Sequence, residues 1–180
     1  MFANDPKTAH FAGLLLAIFL AAAQERVGRA GAFWLILFAL PGTILHETSH
    51  YLVALLTGGR PRGFSIIPHR QGGTLGEGSS HRRWVLGSVA VGRAGMVSAV
   101  PTALAPLWLI VAAWYLYRRW FAWFPADTLH TLLLYAVVYL FCYSAVPSRA
   151  DLQVALSSPA SLLLYGCLAA LLFCTAGLWA

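Results

Sequence analysis

The sequence predicts an all-α polytopic membrane protein. About five transmembrane helices are expected, with a small cytoplasmic-side β-hairpin between the second and third. Composition is the first reason: 59% of the 180 residues are hydrophobic and only 10% charged, where soluble domains carry about 25% charged residues. Mean hydropathy is +0.71. Length of the apolar runs is the second reason, since several approach or exceed the ~20 residues that cross a bilayer. Third, the basic residues gather in the polar stretches between those runs.

The first apolar run covers residues 11–23 and predicts a helix. Its end, Ala21-Ala22-Ala23, also fits a signal-peptidase site, but Asp5 and the weakly basic start favour a retained helix. The second run, residues 32–57, stops at Gly58-Gly59, a good helix terminator. Pro41-Gly42 lies inside it and predicts a kink, either for packing or to open room beside the next turn of the helix. Residues 58–83 form the longest polar segment and contain Arg60, Arg62, Arg70, Arg82 and Arg83. Within it, Gly63 to Pro68 reads as a strand and Gly72 to Gly76 as its hairpin partner.

Residues 84–117 form a long apolar run interrupted by Pro101 and Pro106. One span with an interfacial extension is expected, and Gly87, Ser88, Gly92, Gly95 and Ser98 would permit close helix contact. Arg93 in this run reads as a snorkelling side chain, or as a partner for a carboxylate. The aromatics Trp114, Tyr117, Trp120 and Trp123 fit an interfacial belt. Asp127-Thr128 caps the next span, residues 129–146, which Pro147 ends. The last span is residues 161–178, just after Pro159.

The chain therefore reads as one membrane-embedded domain over 1–180: an N-terminal helix and loop (1–31), a core (32–152) and a C-terminal transmembrane helix (153–180). The net charge of +6 comes from eleven Arg and one Lys. No basic stripe is interleaved with aromatics, so nucleic acid is not an expected partner, and the lipid bilayer is. With five spans, seven basic residues fall on the side of the 58–83 loop and four on the other, which makes the loop side cytoplasmic. Cys142, Cys167 and Cys174 lie in apolar segments without a C-x-x-C pair, and read as small buried hydrophobes.

The chemistry-bearing motif is His46-Glu47-Thr48-Ser49-His50 in the second run. Residues four apart share a helix face, so His46 and His50 can grip one metal ion. Zinc suits imidazole, and Glu47 stands beside the pair as a general base. Ionisable residues inside a membrane are costly and usually functional. A catalytic zinc takes three protein ligands. Only six acidic residues exist, and Asp151, just past the fourth expected span, is best placed to be the third ligand. Glu77, His69 and His81 are the alternatives. Asp127 and His130 fall at the opposite face.

The segment from Leu45 to Tyr51, followed by Leu55-Leu56-Thr57-Gly58-Gly59, resembles the site-2 protease family of intramembrane zinc metalloproteases. Gly72-Gly73 and Pro147-Ser148-Arg149-Ala150-Asp151 take the places of that family's paired glycines and of its later Pro-containing motif with the ligand Asp. The likeness is closest to its small, minimal members and covers about residues 32–152, with Ala150-Asp151-Leu152 where the family usually has Leu-Asp-Gly.

The resemblance implies one Zn²⁺ per chain on His46, His50 and Asp151, a water activated by Glu47, and hydrolysis of peptide bonds in membrane-spanning proteins or peptides. It also implies an integral, multi-pass protein of a bacterial cell membrane, with the active site toward the cytoplasmic side. Ser148, Arg149 and His81 are candidate oxyanion donors. The strand at 63–74 is a candidate for pairing with an extended substrate. A non-catalytic zinc-binding relative and a divalent-metal transporter are the competing readings. Few ligands line the spans, which disfavours the transporter.

Overall fold

The computed structural model describes residues 5–30, 32–65, 69–71, 83–85, 88–91 and 95–177. The expectations for Gly72 to Gly76, Glu77, His81 and Arg93 lie outside these residues. The fold is mostly helical. Its elements are α1 (Pro6–Ala30), α2 (Ala32–Leu56), β1 (Pro61–Ser65), β2 (His69–Gln71), β3 (Arg83–Val85), β4 (Ser88–Val91), α3 (Ala99–Ala103), a 3-10 turn (Ala105–Leu107), α4 (Trp108–Trp123), α5 (Thr128–Ser144), α6 (Arg149–Leu156) and α7 (Pro159–Gly177).

Helix α1 extends beyond the apolar run at both ends. Pro6 occupies its first position, where a missing N–H costs nothing, and the Asp5 carboxylate accepts from the Thr8 N–H at 3.3 Å and from its hydroxyl at 3.0 Å. Helix α2 runs 25 residues through Pro41. It closes on Gly58 at φ 74°, with Gly58 N–H donating to the Leu55 carbonyl and Gly59 N–H to that of Ala54. That bonding pattern needs a left-handed residue, which glycine adopts without penalty.

The strands pair differently from the expected hairpin. Strand β1 exists, but it pairs antiparallel with β4 (Gly63 opposite Ala90, Ser65 opposite Ser88), and β2 pairs with β3. The two ladders are nested, so β3 and β4 occupy the start of the run read as helix from its hydropathy. Apolar runs of four to eight residues have no periodicity that separates a strand from a helix. Beyond the strands the run breaks again after α3, which contains Pro101, at the 3-10 turn that contains Pro106, and only Trp108–Trp123 forms a long helix. One long span with an extension is therefore replaced by two strands, a short helix, a 3-10 turn and α4.

The span count is also smaller than five among the described residues. One helix segment, Pro6–Val27, is long and apolar enough to cross a membrane; α5 and α6, bent by 47°, form a second candidate, and Pro159–Leu172 is a shorter apolar helix. His10 lies against Phe121 and Tyr135, whereas Gln24 and Glu25 line a cleft of about 440 Å³ with Tyr139, Cys142 and Tyr143. Contacts therefore advance in the same sense along α1 and α5, where strict alternation of five spans would oppose them.

Burial is inverted relative to a soluble protein. The most buried positions are small residues such as Ala54, Ala105, Ser161 and Ala145, while Phe19, Trp108, Leu163 and Leu172 are more than 60% exposed. This is the pattern of helices that pack through small residues and turn large ones toward lipid. Cys142, Cys167 and Cys174 are exposed, not buried, and unpaired. Trp120 leaves the expected belt: it is buried and donates to the His130 carbonyl at 2.9 Å, tying α4 to α5. Asp127 caps α5 by accepting from His130 N–H. That bond, and then the His130 side chain, hold its carboxyl below the usual range.

Two small-residue contacts set the packing. A side chain on Gly13 would run into the Tyr135 ring, whose Cγ lies 2.7 Å from the place a Cβ would take. Ser161 at the start of α7 is fully buried and accepts from the Val100 N–H of α3 at 3.1 Å; nearby, Tyr165 donates to the Val97 carbonyl at 2.7 Å. We expect Gly13→Ala to destabilise the protein by about 1–3 kcal/mol through overpacking. Adding Tyr135→Ala should recover part of the loss. Ser161→Ala leaves a buried N–H without its acceptor and should cost about 1–3 kcal/mol. Thermal denaturation in detergent measures both; unchanged midpoints would refute these packing assignments.

Candidate metal centre

His46 and His50 lie one turn apart on α2 and share a face, as the period of a helix requires. Gly42, one turn before His46, has no side chain to hold α2 away from the end of α5. A Cβ there would meet Ser144 Oγ at 3.1 Å. Gly42 thus lets α2 approach the last turn of α5.

That last turn supplies the first fixed partner. His46 Nδ1 donates to the Ser144 carbonyl at 2.8 Å. In a continuing helix this carbonyl would accept from the N–H of residue 148. Pro147 ends α5, and the Ser148 N–H instead donates to Asp151 Oδ2 at 2.7 Å. The helix break therefore frees one carbonyl for a histidine.

A second freed carbonyl holds the other histidine. His50 Nδ1 donates to the Thr102 carbonyl at 2.6 Å. Four residues after Thr102 stands Pro106, which has no N–H to offer. The proline in the 3-10 turn leaves the Thr102 carbonyl to His50. Thr102 is itself buried, and its hydroxyl has no hydrogen-bond partner among the described residues.

A carbonyl only accepts, so each Nδ1 carries the ring proton and each Nε2 of a neutral ring presents a lone pair. The two Nε2 atoms lie 3.1 Å apart. Asp151 closes the triangle, with Oδ2 3.3 Å from His46 Nε2 and Oδ1 3.2 Å from His50 Nε2. Four electron-rich atoms, the two Nε2 nitrogens and both Asp151 oxygens, repel one another at these separations unless a cation lies among them. A tetrahedral ion with bonds of about 2.0–2.1 Å spaces its ligand atoms by about 3.3 Å. The donor set of two imidazoles and one carboxylate, half-buried to buried, thus fits zinc.

Asp151 reaches this position from the first turn of α6. Ser148 is the N-cap: its hydroxyl accepts from Asp151 N–H at 3.2 Å, while Asp151 returns the bond to the Ser148 N–H. Such a reciprocal box fixes both the helix start and the carboxylate. Glu47, between the two histidines in sequence, is half-buried and close enough to interact electrostatically with His46, His50 and Asp151.

The structure thus brings His46, His50 and Asp151 into one cluster, with Glu47 on the same turn of α2. Of the alternatives, His69 lies in β2, and Glu77 and His81 are outside the described residues. Asp127 and His130 pair with each other, 2.8 Å apart at the start of α5, and take no part. Ser148, considered as an oxyanion donor, is the α6 cap; Arg149 is exposed on the first turn of α6. Sequence reasoning misses the carbonyls of Thr102 and Ser144. Two signals point to them: a proline four residues after Thr102, and Ser-x-x-Asp directly after Pro147.

No curated protein and no solved structure matches the chain. A family model described as Peptidase M50B-like matches residues 11–176, nearly the whole chain, and the protein is therefore a member of that family, among the site-2 proteases.

Proposed function

We propose that this protein is an intramembrane zinc endopeptidase that hydrolyses peptide bonds of membrane-spanning substrates. The observation that carries the proposal is the triangle of His46 Nε2, His50 Nε2 and Asp151, with Glu47 on the same turn of α2. Zinc held by these three side chains, one ion per chain, would supply Lewis acidity to the scissile carbonyl and to the attacking water.

The remaining work falls to the chain's own residues. Glu47 accepts the proton of the water and passes it to the leaving amine. The Ser144 and Thr102 carbonyls keep both rings oriented by holding their Nδ1 protons. A helical substrate hides its peptide bonds in hydrogen bonds and must be extended before attack. Strand β1 has β4 on one edge, and strand addition at its other edge would hold an extended segment.

The basic loop after α2 argues that the end of α2 carrying His46 and His50 faces the cytoplasm. The family and the lipid-facing apolar side chains support a membrane-integral location, and a bacterial cell membrane is the setting we propose.

The test is cleavage of single-span reporter proteins by purified protein reconstituted in lipid. Glu47→Gln should lower the rate at least about 100-fold, the usual worth of a general base, while zinc stays bound. His46→Ala should lose zinc and cleavage together. A chelator should stop the wild type, and added zinc should restore it. Cleavage by Glu47→Gln at the wild-type rate would overturn the proposed role of Glu47. Bound zinc without cleavage of any reporter would favour a non-catalytic zinc-binding protein of the same fold.

A further inference from the structure

We infer that Ser148 is a positioning residue for the metal centre, acting through Asp151. The inference rests on the proposed zinc site and deepens it. Asp151 has two tasks with one carboxylate. It is the third residue of α6 and completes the capping box with Ser148, and it faces both His Nε2 atoms. Its Oδ2 takes the Ser148 N–H at 2.7 Å and lies 3.3 Å from His46, while Oδ1 lies 3.2 Å from His50.

A free aspartate on a first helical turn samples several χ rotamers. Here the box constrains the residue at two points: the Ser148 hydroxyl holds its backbone N–H, and the Ser148 N–H holds its carboxylate. The carboxylate is thereby aimed before any ion arrives. The same Ser148 N–H is the donor that α5 would otherwise direct at the Ser144 carbonyl, the carbonyl held by His46. Ser148 therefore orients two of the three ligand side chains: Asp151 by its hydroxyl and N–H, and His46 by leaving a carbonyl free. Hydrogen bonds of this kind behind a metal ligand typically change affinity 10–100-fold.

The experiment measures the zinc dissociation constant of full-length protein in detergent, by competition with a chromophoric chelator, for wild type, Ser148→Ala, Ser148→Gly and Ser148→Thr. Glycine is nearly as good an N-cap as serine but has no hydroxyl, so Ser148→Gly separates metal positioning from helix stability. Ser148→Thr keeps the hydroxyl and is the rescue. We expect Ser148→Gly and Ser148→Ala to bind zinc 10–100-fold more weakly, with Ser148→Gly denaturing near the wild-type temperature, and Ser148→Thr to return close to wild type. The visible spectrum of the cobalt-loaded protein should change in Ser148→Gly and not in Ser148→Thr. Wild-type affinity and spectrum in Ser148→Gly would overturn the role of Ser148 while leaving the metal site standing. Failure of the wild type to bind zinc would overturn both.

Discussion

Two imidazoles and a carboxylate brought within 3.1–3.3 Å of one another form the constraint on which this structure depends. In a low-dielectric interior such a group is unfavourable unless every atom has an assigned partner. The chain meets the demand by breaking helices. Pro106 withholds an N–H from Thr102, and the break at Pro147 with the Ser148 cap withholds another from Ser144. Each freed carbonyl takes the Nδ1 proton of one histidine. What remains is a cluster of lone pairs and negative charge whose natural complement is a divalent cation. The helix ends are thus where the candidate metal site is built, at the ends of α3 and α5 and the first turn of α6.

The surrounding fold serves the approach of these ends. Gly42 lets α2 reach the last turn of α5, and Gly13 accepts the Tyr135 ring so that α1 lies close along α5. Ser161 and Tyr165 of α7 hold the segment that presents Thr102. Small buried residues at these contacts and large apolar side chains on the outside have one cause. Lipid competes for apolar surface, so helices associate through close packing and hydrogen bonds. A polar cluster can then be kept inside without a large hydrophobic core.

The helices and the chemistry are legible in the sequence to different degrees. Apolar run length locates α1, α2, α5 and α7, and the His pair is evident from its spacing of four. Asp151 stands out because acids are scarce in the chain and it comes after a terminating proline. Hydropathy misleads over residues 84–117, because β3 and β4 are apolar strands that no period distinguishes from a helix. The strand pairing escapes a local reading because the partners lie far apart in sequence, Ser65 with Ser88. Counting spans by run length gives strict alternation, whereas the contacts of His10 and Glu25 show α1 and α5 running in the same sense. The two carbonyl partners are hidden for another reason: backbone groups carry no residue signature, and only the missing N–H of Pro106 and the Ser-x-x-Asp that follows Pro147 betray them.

The measurement that tests the central claim most directly is X-ray absorption at the zinc edge on purified, zinc-loaded full-length protein, together with zinc content per chain. The account predicts one zinc per chain with two imidazole nitrogens and oxygen donors at about 2.0–2.2 Å, without sulfur. A sulfur ligand at about 2.3 Å would place the ion at a cysteine and contradict the His46–His50–Asp151 site, as would a protein that retains no zinc after loading.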